Sequence, residues 1–126
     1  TNHPNPLMNK RLRLESVPNA MDQARVSTAN MLGDDKVYAA IPWFWSDQYE
    51  LKLQMVGFSA DGDSQVLRGD MEKHQFAIFY LKDGKVVAAD AVNSPKEFML
   101  CKQMIGKPAD PAKLADPETD LKSLLA

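Results

Sequence analysis

Four short runs typical of β-strands, all between residues 51 and 91, constrain the fold of this chain more than any other feature. In the first run, Leu51, Leu53 and Met55 stand two residues apart, which predicts a strand with one buried face. Three further strands are predicted, at residues 65–68, 75–81 and 85–91. Asp83-Gly84 is a strong hairpin signal between the last two strands. Because no crossover helix separates the runs, the predicted sheet is antiparallel.

Two helices are predicted to flank this sheet. The first runs from about Pro18 to Leu32, with Ser16 as its N-cap. The second begins at Ser94-Pro95-Lys96-Glu97, which has the pattern of a capping box with proline at the first helical position. Residues 1–14 are predicted to form a polar loop, and the chain ends in a short amphipathic segment. The predicted fold class is therefore α+β, an antiparallel sheet with flanking helices.

Charge and composition exclude several classes of protein. The 126 residues carry 15 Lys and Arg against 17 Asp and Glu, so no nucleic-acid-binding surface is expected. No uncharged apolar run approaches roughly 18 residues, so no membrane span is predicted. His3, His74 and Cys101 have no metal-ligand spacing, and no metal site is predicted. Cys101 is interpreted as a packed core thiol and His74 as a solvated loop residue.

A single cysteine forms no internal disulfide, which favours a reducing, cytoplasmic location. The six glycines are scattered and form no phosphate-binding motif. The chain begins at Thr1, without an initiating methionine or a signal pattern, and we expect it to be a piece of a longer protein.

Residues 42–49, with the sequence PWFWSDQY, contain both tryptophans of the chain. One interpretation is a hydrophobic anchor that fastens the first strand to the core. The other is an aromatic platform in a loop, since the face of an indole ring can stack on a flat ligand. The residue types alone leave both interpretations open.

Three segments resemble the FAD-dependent ferredoxin reductases, the NAD(P)H-linked components that serve bacterial oxygenases and cytochromes P450. The segments are residues 15–25 (ESVPNAMDQAR), residues 42–52 (PWFWSDQYELK) and residues 90–93 (DAVN) with Phe98. The resemblance extends over essentially the whole chain. It implies that residues 1–36 are the end of an FAD-binding domain. Residues 37–126 would then be the C-terminal α+β domain, which in glutathione-reductase relatives is the dimerisation domain.

The resemblance also implies a function in electron transfer. Such an enzyme passes electrons from NAD(P)H through FAD to a [2Fe-2S] ferredoxin or a rubredoxin. The family's phosphate-binding glycine motifs are missing here, so the chain alone is expected to bind no cofactor and to be inactive. Its expected partners are the FAD-binding domain of the same polypeptide and the iron–sulfur protein, and a homodimer is left open. The alternative hypothesis is a stand-alone interaction or dimerisation domain without redox chemistry.

The resemblance assigns four residues to the flavin. The backbone of Val17 would meet the pyrimidine edge of the ring, and the helix start behind it would stabilise negative charge. Glu15 and Ser16 are neighbours in the same motif, and Trp45 would shield the ring from water. No catalytic side chain is expected, because the hydride and electron chemistry belongs to the flavin.

Three further residues are expected to contact the partner protein. Ferredoxins of this kind are generally acidic, so isolated basic residues near the flavin are the expected docking groups. Arg25 stands two helical turns beyond Val17, and Lys122 stands in a tail helix expected to fold back beside Trp45. Trp43 matches a more variable position of the family motif.

Overall fold

The computed structural model describes residues 1–125. These residues form two compact units, one from Thr1 to Phe44 and a second from Trp45 onward. The assignment of residues 1–36 and 37–126 to two domains of a reductase remains a prediction. Within the described residues, no helix has the length and apolarity needed to cross a membrane.

The first unit opens with a two-stranded antiparallel sheet, in which β1 (Asn2–Asn5) pairs with β2 (Lys10–Arg13). The prediction of a polar loop over residues 1–14 is therefore wrong. Hydrogen bonds of polar groups, rather than an alternation of apolar and polar residues, stabilise this hairpin. The Asn5 side-chain oxygen accepts the backbone N–H groups of Leu7 and Met8 at 3.0 and 3.1 Å, which closes the turn.

Helix α1 (Val17–Met31) follows, close to its predicted bounds. The prediction of Ser16 as the N-cap is confirmed, because its hydroxyl accepts the N–H of Asn19 at 3.3 Å. The buried amide of Asn19 donates to the Leu14 carbonyl at 2.9 Å and accepts the Tyr38 hydroxyl at 3.0 Å. A polar network thus ties α1 to the rest of the first unit.

The larger sheet has five strands in the order β3-β4-β7-β6-β5. The strands are β3 (Trp43–Gln48), β4 (Leu51–Gly57), β5 (Ser64–Asp70), β6 (Gln75–Lys82) and β7 (Lys85–Val92). The four predicted strands and their antiparallel arrangement are confirmed. Strand β3 was not predicted, because a run of aromatic residues masks the alternation of period two.

Helix α2 (Pro95–Met104) covers one face of this sheet. The core between them contains the fully buried side chains of Phe79, Leu81, Val86, Phe98 and Met104. Cys101 is also fully buried, as predicted. Burial, with a smaller contribution from the charge of Asp90, raises the pKa of the Cys101 thiol to about 12, so this thiol is a packing group and no nucleophile.

The capping box predicted at the start of α2 does not form. The Ser94 hydroxyl donates to the Val92 carbonyl at 3.0 Å and makes no capping bond to the helix. Its ψ of 62° lies outside the extended region in which a serine oxygen reaches the N–H groups of the first turn. Proline at the first position still sets the start of the helix.

The chain ends in α3 (Pro111–Ala115) and a terminal 3-10 helix (Leu121–Leu125). Leu114 and Leu121 are buried and anchor these two elements. The terminal helix packs against α2. His74 lies exposed in the turn between β5 and β6, as predicted.

Candidate functional site

Three of the predicted cofactor-binding residues lie together where α1 begins, and they line a cleft of about 530 Å³. Val17 is the first residue of the helix and is 57% exposed. Ser16 caps the helix, and the exposed carboxylate of Glu15 forms an ion pair with Arg13 at 3.0 Å. In the described helix, the first turn contains no acidic side chain. The positive end of the helix dipole is therefore free to face an electron-rich group.

Arg25 stands on the same helix, eight residues beyond Val17. That spacing is about 12 Å along the helix axis. Its guanidinium Nη1 lies 3.2 Å from Oδ1 of Asp22, and the arginine side chain is 70% exposed. An exposed pair of this kind contributes little to stability, so an incoming carboxylate could compete for the arginine.

Both tryptophans lie on β3, which corrects the prediction of a loop at Trp45. Residues two apart on a strand point to the same face, so Trp43 and Trp45 share one face of β3. Trp43 is half-buried and Trp45 is 44% exposed. The roles of an anchor and of an aromatic platform both remain predictions.

Lys122 lies exposed in the terminal 3-10 helix, directly after the buried Leu121. Its expected approach to Trp45 remains a prediction. Among the described residues, no group of three or more His, Cys, Asp or Glu side chains could hold a metal ion.

Sequence reasoning missed a polar pair on the face of the sheet opposite α2. The Tyr80 hydroxyl donates to Oδ2 of Asp90 at 2.9 Å. Burial raises the pKa of Asp90, and the bond from Tyr80 opposes that rise. Burial, together with the same bond, raises the pKa of Tyr80 to about 12. Asp90 lies in residues 90–93, the third segment that carries the family resemblance. That segment was the one sequence feature that could have pointed to this pair.

A second missed residue is Arg68, a buried arginine on β5. Its side chain contacts backbone carbonyl groups between residues 114 and 119. A lone arginine at an inward-facing position of a strand was the only signal in the sequence, and its partners lie more than forty residues away.

Comparison with known proteins gives consistent matches. A family model described as "Reductase C-terminal" matches residues 43–125. The anthranilate 1,2-dioxygenase system ferredoxin–NAD(+) reductase component of Burkholderia cepacia is 44% identical over 99% of this chain. Putidaredoxin reductase of Pseudomonas putida is 43% identical over 95% of it. The chain spans 32% and 29% of the lengths of these two relatives.

Solved structures agree with these matches. The ferredoxin reductase for the CYP199A2 system of Rhodopseudomonas palustris superimposes with a TM-score of 0.89 and 38% identity, over 98% of this chain and 31% of that one. The reductase in a covalent putidaredoxin reductase–putidaredoxin complex gives a TM-score of 0.86 and 41% identity, over 96% of this chain and 30% of that one. Both the predicted family and the predicted fold class are thereby confirmed: the chain belongs to the reductase C-terminal family, with the fold of the C-terminal domain of ferredoxin reductases.

Proposed function

We propose that this chain is the C-terminal part of an FAD-dependent NAD(P)H:ferredoxin oxidoreductase. The whole enzyme passes electrons from NAD(P)H through FAD to a small iron–sulfur protein that serves an oxygenase or a cytochrome P450. The observation that carries the proposal is the agreement with ferredoxin reductases in both sequence and fold along nearly the whole chain. Residues 1–36 then complete the FAD-binding domain, residues 37–126 form the C-terminal domain, and the enzyme acts in the cytoplasm.

The start of α1 fits a flavin ring. FAD, when bound, supplies hydride acceptance and electron transfer. The exposed Val17 and the uncompensated positive end of α1 suit a ring edge that gains negative charge on reduction. Ser16 keeps the first turn in place through its capping bond, and the Arg13 ion pair keeps the carboxylate of Glu15 from opposing that charge.

Trp45 and the two exposed cations suit the approach of an acidic partner. The exposed indole of Trp45 excludes water from a neighbouring ring. Arg25 and Lys122 supply positive charge that steers an acidic iron–sulfur protein towards the reductase. Trp43, half-buried on the same strand as Trp45, holds that strand in place beside the partner. The matched complex of putidaredoxin reductase with putidaredoxin supports this class of partner.

The test uses the full-length polypeptide that contains this segment. We expect the purified protein to show the visible absorption of bound FAD and to oxidise NADH or NADPH. Added [2Fe-2S] ferredoxin should be reduced at the expense of the nicotinamide. A colourless protein that oxidises neither nucleotide would contradict the proposal, and a colourless dimer would favour the alternative of an interaction or dimerisation domain.

A further inference from the structure

The buried side-chain amide of Asn19, in the first turn of α1, is bonded on both of its ends. Asn19 is 7% exposed, and it lines the same cleft as Val17. Its Nδ2 donates to the Leu14 carbonyl at 2.9 Å, while its Oδ1 accepts the Tyr38 hydroxyl and Nε2 of Gln23, both at 3.0 Å. Because these two donors occupy both lone pairs of that oxygen, the amide is fixed with its nitrogen towards Leu14.

The bonds of Asn19 belong to a closed ring of side-chain contacts. Nε2 of Gln23 lies 3.0 Å from Oδ1 of Asn19 and 3.3 Å from Nδ1 of His3 on β1. The His3 ring packs edge-on against the Tyr38 ring, with 4.9 Å between the ring centroids, and the Tyr38 hydroxyl returns to Asn19. The ring of contacts connects β1, α1 and the segment after the helix. Asn19 is therefore held from several parts of the first unit.

Val17 lies inside the segment that Asn19 closes. The bond from Nδ2 of Asn19 to the Leu14 carbonyl joins the first turn to the chain just before the helix. Proline disfavours the helical conformation in the residue before it, and Val17 directly precedes Pro18. The capping bond from the Asn19 N–H to the Ser16 hydroxyl is long, at 3.3 Å. The side chain of Asn19, more than the local sequence, therefore holds Val17 as the first residue of the helix.

The first turn of α1 leaves one backbone donor for a ligand. Pro18 has no N–H, and the N–H groups of Asn19 and Ala20 are bonded to the hydroxyl and the carbonyl of Ser16. In the described residues 17–20, the N–H of Val17 is thus the donor that can meet a group in the cleft. It lies at the positive end of the helix dipole, where a negative charge is favoured.

Resting on the proposed function, we propose that Asn19 is a positioning residue for the flavin. Its side chain holds the N–H of Val17, and with it the start of α1, in the orientation that favours negative charge on the ring. The dipole and the hydrogen bonds beside a flavin are how a protein tunes its potential. Asn19 therefore acts on the potential through the backbone of Val17.

The experiment compares four variants of the full-length reductase. N19A removes the amide, and Y38F removes only one of the two donors to its oxygen. N30A is the matched control, because the Asn30 side chain ties the other end of α1 to Lys36 by two bonds, at 2.9 and 3.0 Å. V56A, at a position 1% exposed on β4, is the control for lost stability.

Three quantities are measured for each variant. They are the midpoint potential of the bound flavin by equilibration with a reference dye, deuterium exchange of the amides between residues 14 and 23, and the unfolding temperature. The potential separates the proposal from a purely structural role, because a structural clamp would change exchange and stability alone.

We expect N19A to lower the ratio of reduced to oxidised flavin about three- to tenfold at a fixed ambient potential, with faster exchange over residues 14–23. A tenfold change corresponds to about 30 mV for a two-electron couple. N30A should speed exchange only at the far end of α1, and V56A should lower only the unfolding temperature. Neither control should change the flavin potential. These results would support the proposal.

Y38F keeps the test valid if N19A does not fold or loses its flavin. The substitution keeps an aromatic ring against His3 and leaves the bond from Asn19 to Leu14 possible. We expect a shift of the potential in the same direction but smaller, about twofold in the ratio of reduced to oxidised flavin.

Two results would overturn the proposal while the reductase function stands. If N19A or Y38F speeds the exchange of residues 14–23 but leaves the flavin potential at the parent value, Asn19 is a structural clamp only. If N30A or V56A lowers the potential as much as N19A does, the shift reports general loosening. A full-length parent that holds no flavin would instead contradict the proposed function, and the role of Asn19 with it.

Discussion

The hydroxyl of Tyr80 donates a hydrogen bond to the half-buried carboxylate of Asp90. The raised pKa of Asp90 means that the folded protein disfavours its charged form. Stability from this group is fully present below the pKa of an unfolded aspartate, about 3.9, and is lost as pH rises through the higher folded pKa.

We therefore predict that Asp90→Asn stabilises the protein at neutral pH and has a smaller effect near pH 4. An asparagine oxygen can still accept the Tyr80 hydroxyl, so the pair is kept without the buried charge. The measurement is the free energy of urea unfolding between about pH 4 and pH 7.5. If the difference in unfolding free energy between variant and parent does not grow with pH, the raised pKa of Asp90 is contradicted. Asp47→Asn, at an exposed position of β3, is the control.

In the full-length enzyme, we expect charge reversals at the two proposed docking cations to affect only the reaction with ferredoxin. Arg25→Glu and Lys122→Glu should slow ferredoxin reduction about tenfold at low ionic strength and weaken its dependence on salt. Ferricyanide reduction should remain near normal, because hydride transfer does not involve these charges. Unchanged ferredoxin turnover in both variants would remove them from the docking surface.

Trp45→Ala should behave differently from the charge reversals. Because we propose that the exposed indole shields the flavin, its loss should alter the visible flavin spectrum as well as the rate of ferredoxin reduction. The measurement is the absorption spectrum of the purified variant beside that of Trp43→Ala. A Trp45→Ala spectrum identical to that of the parent enzyme would place this tryptophan away from the flavin.

Strand β4 ends at Gly57, a position where only glycine fits. Gly57 has a φ of +71°, and an added Cβ would lie 2.2 Å from the carbonyl oxygen of Val87 on β7. Gly84, in the hairpin between β6 and β7, has nearly the same φ of +73°, and no described atom lies within 4 Å of its added Cβ. The two glycines thus share the backbone strain and differ in the steric clash.

We predict that Gly84→Ala costs about 1 kcal/mol of unfolding free energy, from the left-handed backbone alone. Gly57→Ala should cost about 3 kcal/mol or more, because β4 and β7 must also move apart. Chemical denaturation of both variants gives the comparison. Equal losses would show that the close approach of β4 to Val87 is not maintained in solution.

Helix α1 differs from the strands in how little of it is buried. Met31 and Leu32 are 85% and 83% exposed, and the described burial on this helix is confined to Pro18 and Asn19. We predict that the α1 amides of the isolated chain exchange with deuterium faster than those of β6 and β7. Mass spectrometry of exchanged peptides measures this. Protection of α1 equal to that of the sheet, in a proven monomer, would contradict the prediction.

As the C-terminal part of a reductase, the isolated chain should be unable to hold the flavin by itself. The 126-residue chain contains no glycine-rich phosphate-binding motif, and one ring edge is too small a surface to hold FAD. We predict that the isolated chain is colourless and does not oxidise NAD(P)H. Stoichiometric bound flavin, seen in the visible spectrum of the purified chain, would contradict this.

Much of the second unit could be predicted from the sequence because the signals are local. Alternation of period two specified β4, short apolar runs bounded by turn signals specified β5 to β7, Asp83-Gly84 specified the hairpin between β6 and β7, and the apolar face of α2 specified the burial of Cys101. The residues of the proposed site came from short motifs, which identify a family without any knowledge of the packing. The N-cap at Ser16 is equally local, since its partner is three residues away.

Tertiary structure alone decided the features that join distant parts of the chain. The sheet order places β4 beside β7 rather than beside β5. Arg68 contacts carbonyls 46 to 51 residues further along the chain. The hairpin of residues 2–13 and strand β3 formed without a clear alternation, because paired backbone groups stabilise a strand whatever its side chains. Periodicity reports which face of an element is buried, whereas the identity of the covering partner depends on contacts that no local pattern encodes.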